Sequence, residues 1–157
     1  MTLWTLMDDT RLLRLDRLIH APVARVWAAW TTPPGLKAWW WNHWPDVEIA
    51  ADAVVGGRYR FAAPRAGIIV TGEYLAVEEP SHLSFTWRWE DADGVQDGEV
   101  VDVSFARFEG ATRVTVVHRG PWQDATSAED YRQGWTFVLN ALAADAERPG
   151  DHAVTGP

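Results

Sequence analysis

The groups in this chain that chemistry could use are five histidines, a few phased carboxylates and one arginine in an unusual place. His118 falls near the end of an alternating segment, and Glu73 and Glu90 alternate with apolar neighbours. A carboxylate facing an apolar space has its pKa raised, because burial disfavours its charged form, and exchanges protons near neutral pH. The competing arrangement leaves each glutamate on the wet face of its strand. Arg17 keeps the phase of Leu13, Leu15 and Ile19, so it is expected on an inward face. A guanidinium there needs a carboxylate or a water-filled pocket. It would either anchor an acidic head group or pair structurally with an acid such as Glu48 or Glu73.

Other chemistries fail on residue type or spacing. The five histidines are His20, His43, His82, His118 and His152, and no two stand at i+2, i+3 or i+4. Only His43 with Asp46 and Glu48 brings metal-ligating types together, and that trio reads as a solvated loop, so no metal is expected. Gly56-Gly57 opens a strand, with no Lys-Ser/Thr behind it and no helix after it, so no phosphate cradle is expected. Ser84, Ser104 and Ser127 lie outside any Gly-x-Ser-x-Gly elbow. With no cysteine there is no thiolate nucleophile, disulfide or thiolate-bound metal. No catalytic residue is assigned and no cofactor is expected.

Eleven tryptophans in 157 residues are the compositional oddity. Trp30, Trp39, Trp40, Trp41 and Trp44 crowd one stretch, and Trp87 and Trp89 stand two apart. Each indole brings a large contact area and an N–H that seeks a partner when buried, which suits a packed core or an aromatic pocket wall.

Three changes of period place these groups. Residues 12–19 alternate as a strand. Pro22 then stands where a first helical turn tolerates proline, and Val23, Val26, Trp27 and Trp30 make a helical stripe ending near Thr31. Thr32 caps a second short helix carrying Pro33 and Pro34, with Leu36, Trp39 and Trp40 on its apolar side. From Val47 to His118 the period is two, and strands are expected near 46–52, 57–63, 68–78, 82–90, 99–108 and 112–119. The breaks fall at Gly56-Gly57, 64–67, Pro80-Ser81, 91–98 and Glu109-Gly110. Arg107 falls on the apolar phase of its strand and marks a bulge or an edge. Ser127 with Asp130 forms a capping box, and Tyr131, Gly134, Trp135, Val138, Leu139 and Leu142 trace the stripe of a long helix ending near Glu147. Residues 1–147 read as one domain and 148–157 as a flexible tail.

The long helix must bury its stripe against one face of the sheet, which makes the class α+β. A chain of this length buries roughly 68–70% of the surface its unfolded form exposes, enough for a core of its own. The net charge of −8, with scattered basic residues, argues against nucleic acid and against an anionic membrane surface. The first residues carry neither a basic leader nor a spanning apolar run, so a cytoplasmic protein is expected.

Several strings in order then carry a resemblance: Ile19-His-Ala-Pro22 running to Val26-Trp27, Thr32-Pro-Pro-Gly-Leu-Lys-Ala-Trp39-Trp40, Val55-Gly-Gly-Arg58, Gly72-Glu-Tyr74, Leu83 to Trp89, and Gly134-Trp135. From Leu12 to Leu142 the chain resembles the START-like (SRPBCC), birch-pollen-allergen-like superfamily. Within it, the chain is most similar to homologues of the activator of heat-shock protein 90 ATPase. The resemblance implies a helix-grip fold, in which a curved antiparallel sheet of about seven strands wraps the long helix and leaves a cavity. It leaves function open, since such proteins include carriers, cyclases and co-chaperone domains. The leading expectation is a small apolar or aromatic ligand held by Trp39, Trp40, Tyr59, Phe61, Trp87, Trp89, Tyr131, Gly134 and Trp135, with Arg17 or His118 as polar handle. One alternative is a chaperone partner docking on an exposed patch with Trp41, Trp44 or Trp122. Another is a cyclase-like or hydrolase-like enzyme using His118 with an acid. A homodimer stays open.

Overall fold

The computed structural model describes residues 12–122 and 125–148. The expected tail at 148–157 lies, apart from Arg148, outside the described residues. The alternating segment forms β1 (Leu12–Ile19), and two helices follow, α1 (Val23–Thr31) and α2 (Pro33–Lys37). Then come β2 (Glu48–Ala51), β3 (Arg58–Ala63), β4 (Ile68–Glu78), β5 (His82–Asp91), β6 (Gly94–Phe108) and β7 (Ala111–Arg119), and last α3 (Ala125–Ala146). The strands form one antiparallel sheet in the order β1-β7-β6-β5-β4-β3-β2. This is the α+β helix-grip arrangement, a curved open sheet with the long helix across it.

Local chemistry accounts for the ends of the short helices. Pro22 stands one residue before α1 rather than within its first turn, and its carbonyl accepts from the N–H groups of Arg25 and Val26 at 3.0 and 3.1 Å. Thr32 caps α2 as expected, its hydroxyl accepting from the Gly35 N–H at 3.0 Å. Val23, Val26, Trp27 and Trp30 are all buried, which is the stripe their spacing predicts.

Two expectations need correction, and the alternative left at Arg107 resolves. The break placed at 91–98 is a tight turn, and β6 starts at Gly94 rather than 99. Asp91 makes this turn possible by accepting from the Asp93 N–H at 2.8 Å, and Gly94 adopts φ +129°, which side chains resist. Arg107 marks no bulge, since the ladder to β7 runs unbroken through Arg107 opposite Thr112. It does lie at an edge, because β5 pairs with β6 only as far as Ser104. Ser127 does not cap the long helix, because α3 already begins at Ala125.

The C-terminal half of α3 seals one end of the core. Leu139, Leu142, Ala143 and Ala146 are buried in one cluster with Leu13, Ile19 and Val26. Each leucine buried there contributes about 1.5–3 kcal/mol. Arg25 closes the helix end, donating to the carbonyls of Ala146 at 2.9 Å and Asp145 at 3.2 Å. No described helix is long and apolar enough to cross a membrane.

Candidate functional site

The site begins with one extra residue in β6. Trp87 pairs with Glu99 and Trp89 with Gln96, so Asp97 and Gly98 together stand opposite Arg88. Gly98 takes φ +83°, the left-handed conformation that such a bulge requires. The bulge switches the parity of the strand. Beyond it Gln96 faces inward beside Trp89, while Asp97 joins Arg88 and Glu73 on the outer face.

Between this end of the β5–β6 hairpin and the first half of α3 lies an open cavity of about 370 Å³. Its walls are Trp40, Trp41, Trp87, Trp89, Tyr131, Trp135 and Val138, with Gly134 in the helix wall. Ser127, Asp130, Asp91, Asp93 and Gln96 supply the polar lining. A Cβ built on Gly134 would meet nothing within 4 Å, so the missing side chain opens volume and does not relieve a close contact. Trp41 reaches its place from a left-handed backbone, φ 50°, and crosses Trp89 edge-on with centroids 6.2 Å apart. Trp89 is fixed by its N–H, which donates to Asp91 at 2.8 Å. That bond and the Asp93 N–H hold the Asp91 carboxyl below its ordinary value, so it is an anion at neutral pH.

Behind the wall lies a buried polar chain. The Trp135 N–H donates to His118 Nδ1 at 3.0 Å, and His118 Nε2 stands 2.8 Å from Glu99 Oε1. An indole can only donate, so Nδ1 is the bare nitrogen and the proton sits on Nε2, pointing at Glu99. His118 and Glu99 are 0% and 2% exposed. Burial pushes the His118 pKa down, with Glu99 working against that shift, and the bond from Trp135 needs the neutral ring. Tyr131 stacks on His118 with centroids 4.3 Å apart and accepts from the Trp87 N–H at 3.3 Å. Burial first, and Glu99 second, raise the Tyr131 hydroxyl far above its ordinary value, so it stays protonated.

The expected residues separate into groups. Trp40, Trp87, Trp89, Tyr131, Gly134 and Trp135 meet at the cavity. His118 sits one ring behind it. Trp39 is core, its N–H tied to the Ala29 carbonyl at 2.9 Å, and Tyr59 and Phe61 pack with Tyr74 and Phe85 and do not line the cavity, Phe61 lying behind Trp40 with centroids 5.0 Å apart. Arg17 is not among the lining residues, and its Nε is buried without a partner. Glu48 pairs instead with Arg60 at 3.1 Å. Glu90 pairs with Arg88 on the outer face, and Glu73 lies there too. Trp41, expected on an exposed patch, is only 7% exposed, and Trp44 and Trp122 are half-buried. Among the described residues no His, Asp or Glu group could hold a metal ion. Glu99 was missed as a polar partner, although it shares parity with Val101, Val103 and Phe105 and its phase alone places it inward.

Comparison with known proteins agrees with this fold. The family described as Activator of Hsp90 ATPase homolog 1-like protein matches residues 20–147. Among solved structures, MLL2253 from Mesorhizobium loti superposes with a TM-score of 0.76 at 23% identity, over 88% of this chain and 98% of that one. CV1439 from Chromobacterium violaceum gives 0.70 at 27% identity, again over 88% and 98%. DynU16, from the dynemicin biosynthetic locus, gives 0.71 at 22% identity over 93% of this chain and 48% of its own length. No curated protein matches the chain.

Proposed function

The chain belongs to the Activator of Hsp90 ATPase homolog 1-like family, and from that premise we propose that it binds a small apolar or aromatic molecule between the sheet and α3. The observation that carries this reading is the cavity of about 370 Å³ walled by five indoles and a phenol. Ligand sites commonly occupy about 300–1,000 Å³ and combine aromatic walls with a few convergent polar groups. Gly134 supports it too, because a mid-helix glycine costs about 1 kcal/mol relative to alanine and no packing contact here requires it. The polar handles are Tyr131, Ser127 and Gln96. His118 holds the wall and does not touch the ligand, since both ring nitrogens are engaged and the residue has no exposed surface.

Titration with the uncharged dye N-phenyl-1-naphthylamine, read by dye emission and tryptophan quenching, tests this reading. Saturable uptake is expected in the unmodified chain, and loss of uptake is expected in Gly134→Leu, whose side chain fills the cavity of a folded protein. Dye uptake unchanged by that leucine, or absent throughout, would overturn it.

A further inference from the structure

Resting on that reading, we infer that the ligand is an organic cation, an aromatic or alkyl amine whose ammonium group enters the indole box beneath an acidic rim. Tyr131 stands at 88° to Trp87 and 79° to Trp89, and Trp41 at 88° to Trp89. Rings set near right angles around a common space make an aromatic cage, in which a cation finds π density on several sides. Such a box would also accept a neutral ring. The sign of charge is decided by the polar lining, which contains Asp91, Asp93 and Asp130 and no lysine or arginine.

None of those three aspartates is in an ion pair among the described residues, so their charge is not cancelled locally. Arg88, the cation closest to them along the strand, turns to the outer face and pairs with Glu90. Arg17, the group an acidic ligand would need, is absent from the lining. The first turn of α3 works the other way, but a helix N-terminus offers only about half a positive charge. Three carboxylates outweigh it. The mouth therefore disfavours an organic acid and concentrates an amine.

Calorimetric titration with three probes of similar size decides the matter: 1-naphthylmethylammonium, 1-naphthalenemethanol and 1-naphthoate. The cation is expected to bind about tenfold more tightly than the neutral alcohol at low salt, with the acid weakest and the spread shrinking as salt rises. Asp93→Asn/Asp130→Asn removes two of the three carboxylates and leaves Asp91 in place, because its Oδ2 accepts from Trp89 and its Oδ1 from the Asp93 N–H, and an amide has only one acceptor oxygen. Thermal melts verify that the variant folds. In it the cation's lead over the alcohol is expected to shrink to about threefold. Alcohol binding with no cation preference, a tighter acid, or a preference undiminished in the double variant would overturn the inference while leaving the ligand site standing. Failure of all three probes would overturn both.

Discussion

The C-terminal half of α3 buries its stripe in the core beside residues of β1 and α1, whereas its N-terminal half lines a cavity, although both halves present one continuous apolar stripe. The difference lies in what fills the interface. Leu139, Leu142, Ala143 and Ala146 are compact, and all four are buried in the cluster that also holds Leu13, Ile19 and Val26. At the other end the stripe passes through Tyr131, Gly134 and Trp135, and the opposing residues are rigid rings. Those rings cannot turn to close the gap, because Trp135 is tied to His118, Trp89 to Asp91 and Trp87 to Tyr131. A cavity persists here because its walls are held by hydrogen bonds from behind.

The largest test of this contrast is His118→Ala. It deletes a buried ring, takes the Nε2–H donor from Glu99 and frees the Trp135 ring, with an expected loss of about 3–5 kcal/mol by denaturant unfolding. The same group gives a pH signature. Burial holds the folded-state pKa of His118 below its ordinary value of 6.5, so as pH falls through 6.5 the unfolded chain takes up a proton that the folded chain refuses. Stability is therefore complete above that pH and declines below it, and His118→Gln should flatten the slope. An unchanged slope would show that the polar chain does not set the wall.

Leu142→Ala probes the closed end, where a loss of about 2–5 kcal/mol is expected with dye affinity unaltered. A parallel fall in dye binding would erase the distinction between the two halves. Gly134→Ala is the smallest and has the opposite sign. With nothing within 4 Å of the new Cβ, it should raise stability by about 1 kcal/mol through helix propensity and leave dye uptake intact. Destabilisation would mean that the open end is as tightly packed as the closed one.

The open half was the less legible of the two in the sequence. The stripe through Leu139 and Leu142, the alternation of β1 and β5, and the Thr32 cap are all local patterns, and each appears in the structure where its spacing places it. The cavity was legible only through its tryptophans and Gly134. Its acidic rim was not, because Asp91 and Asp93 sit in what reads as a plain turn, and a bulge opposite Arg88 decides that Gln96 looks inward and Asp97 outward. Arg17 carries the reverse lesson, since correct phase brought it to the inner side but the cavity opened elsewhere along α3.

Sequence alone determined the α+β class, the order of the elements and the buried side of most of them, because periods of two and 3.6 residues act between neighbours in the chain. Only the tertiary structure decided that Trp87, Glu99, His118, Tyr131 and Trp135 form one connected group, that Glu99 closes it, and that the volume beside it is lined by acids. Those outcomes depend on contacts between residues far apart along the chain, and a cavity is whatever volume such packing leaves unfilled.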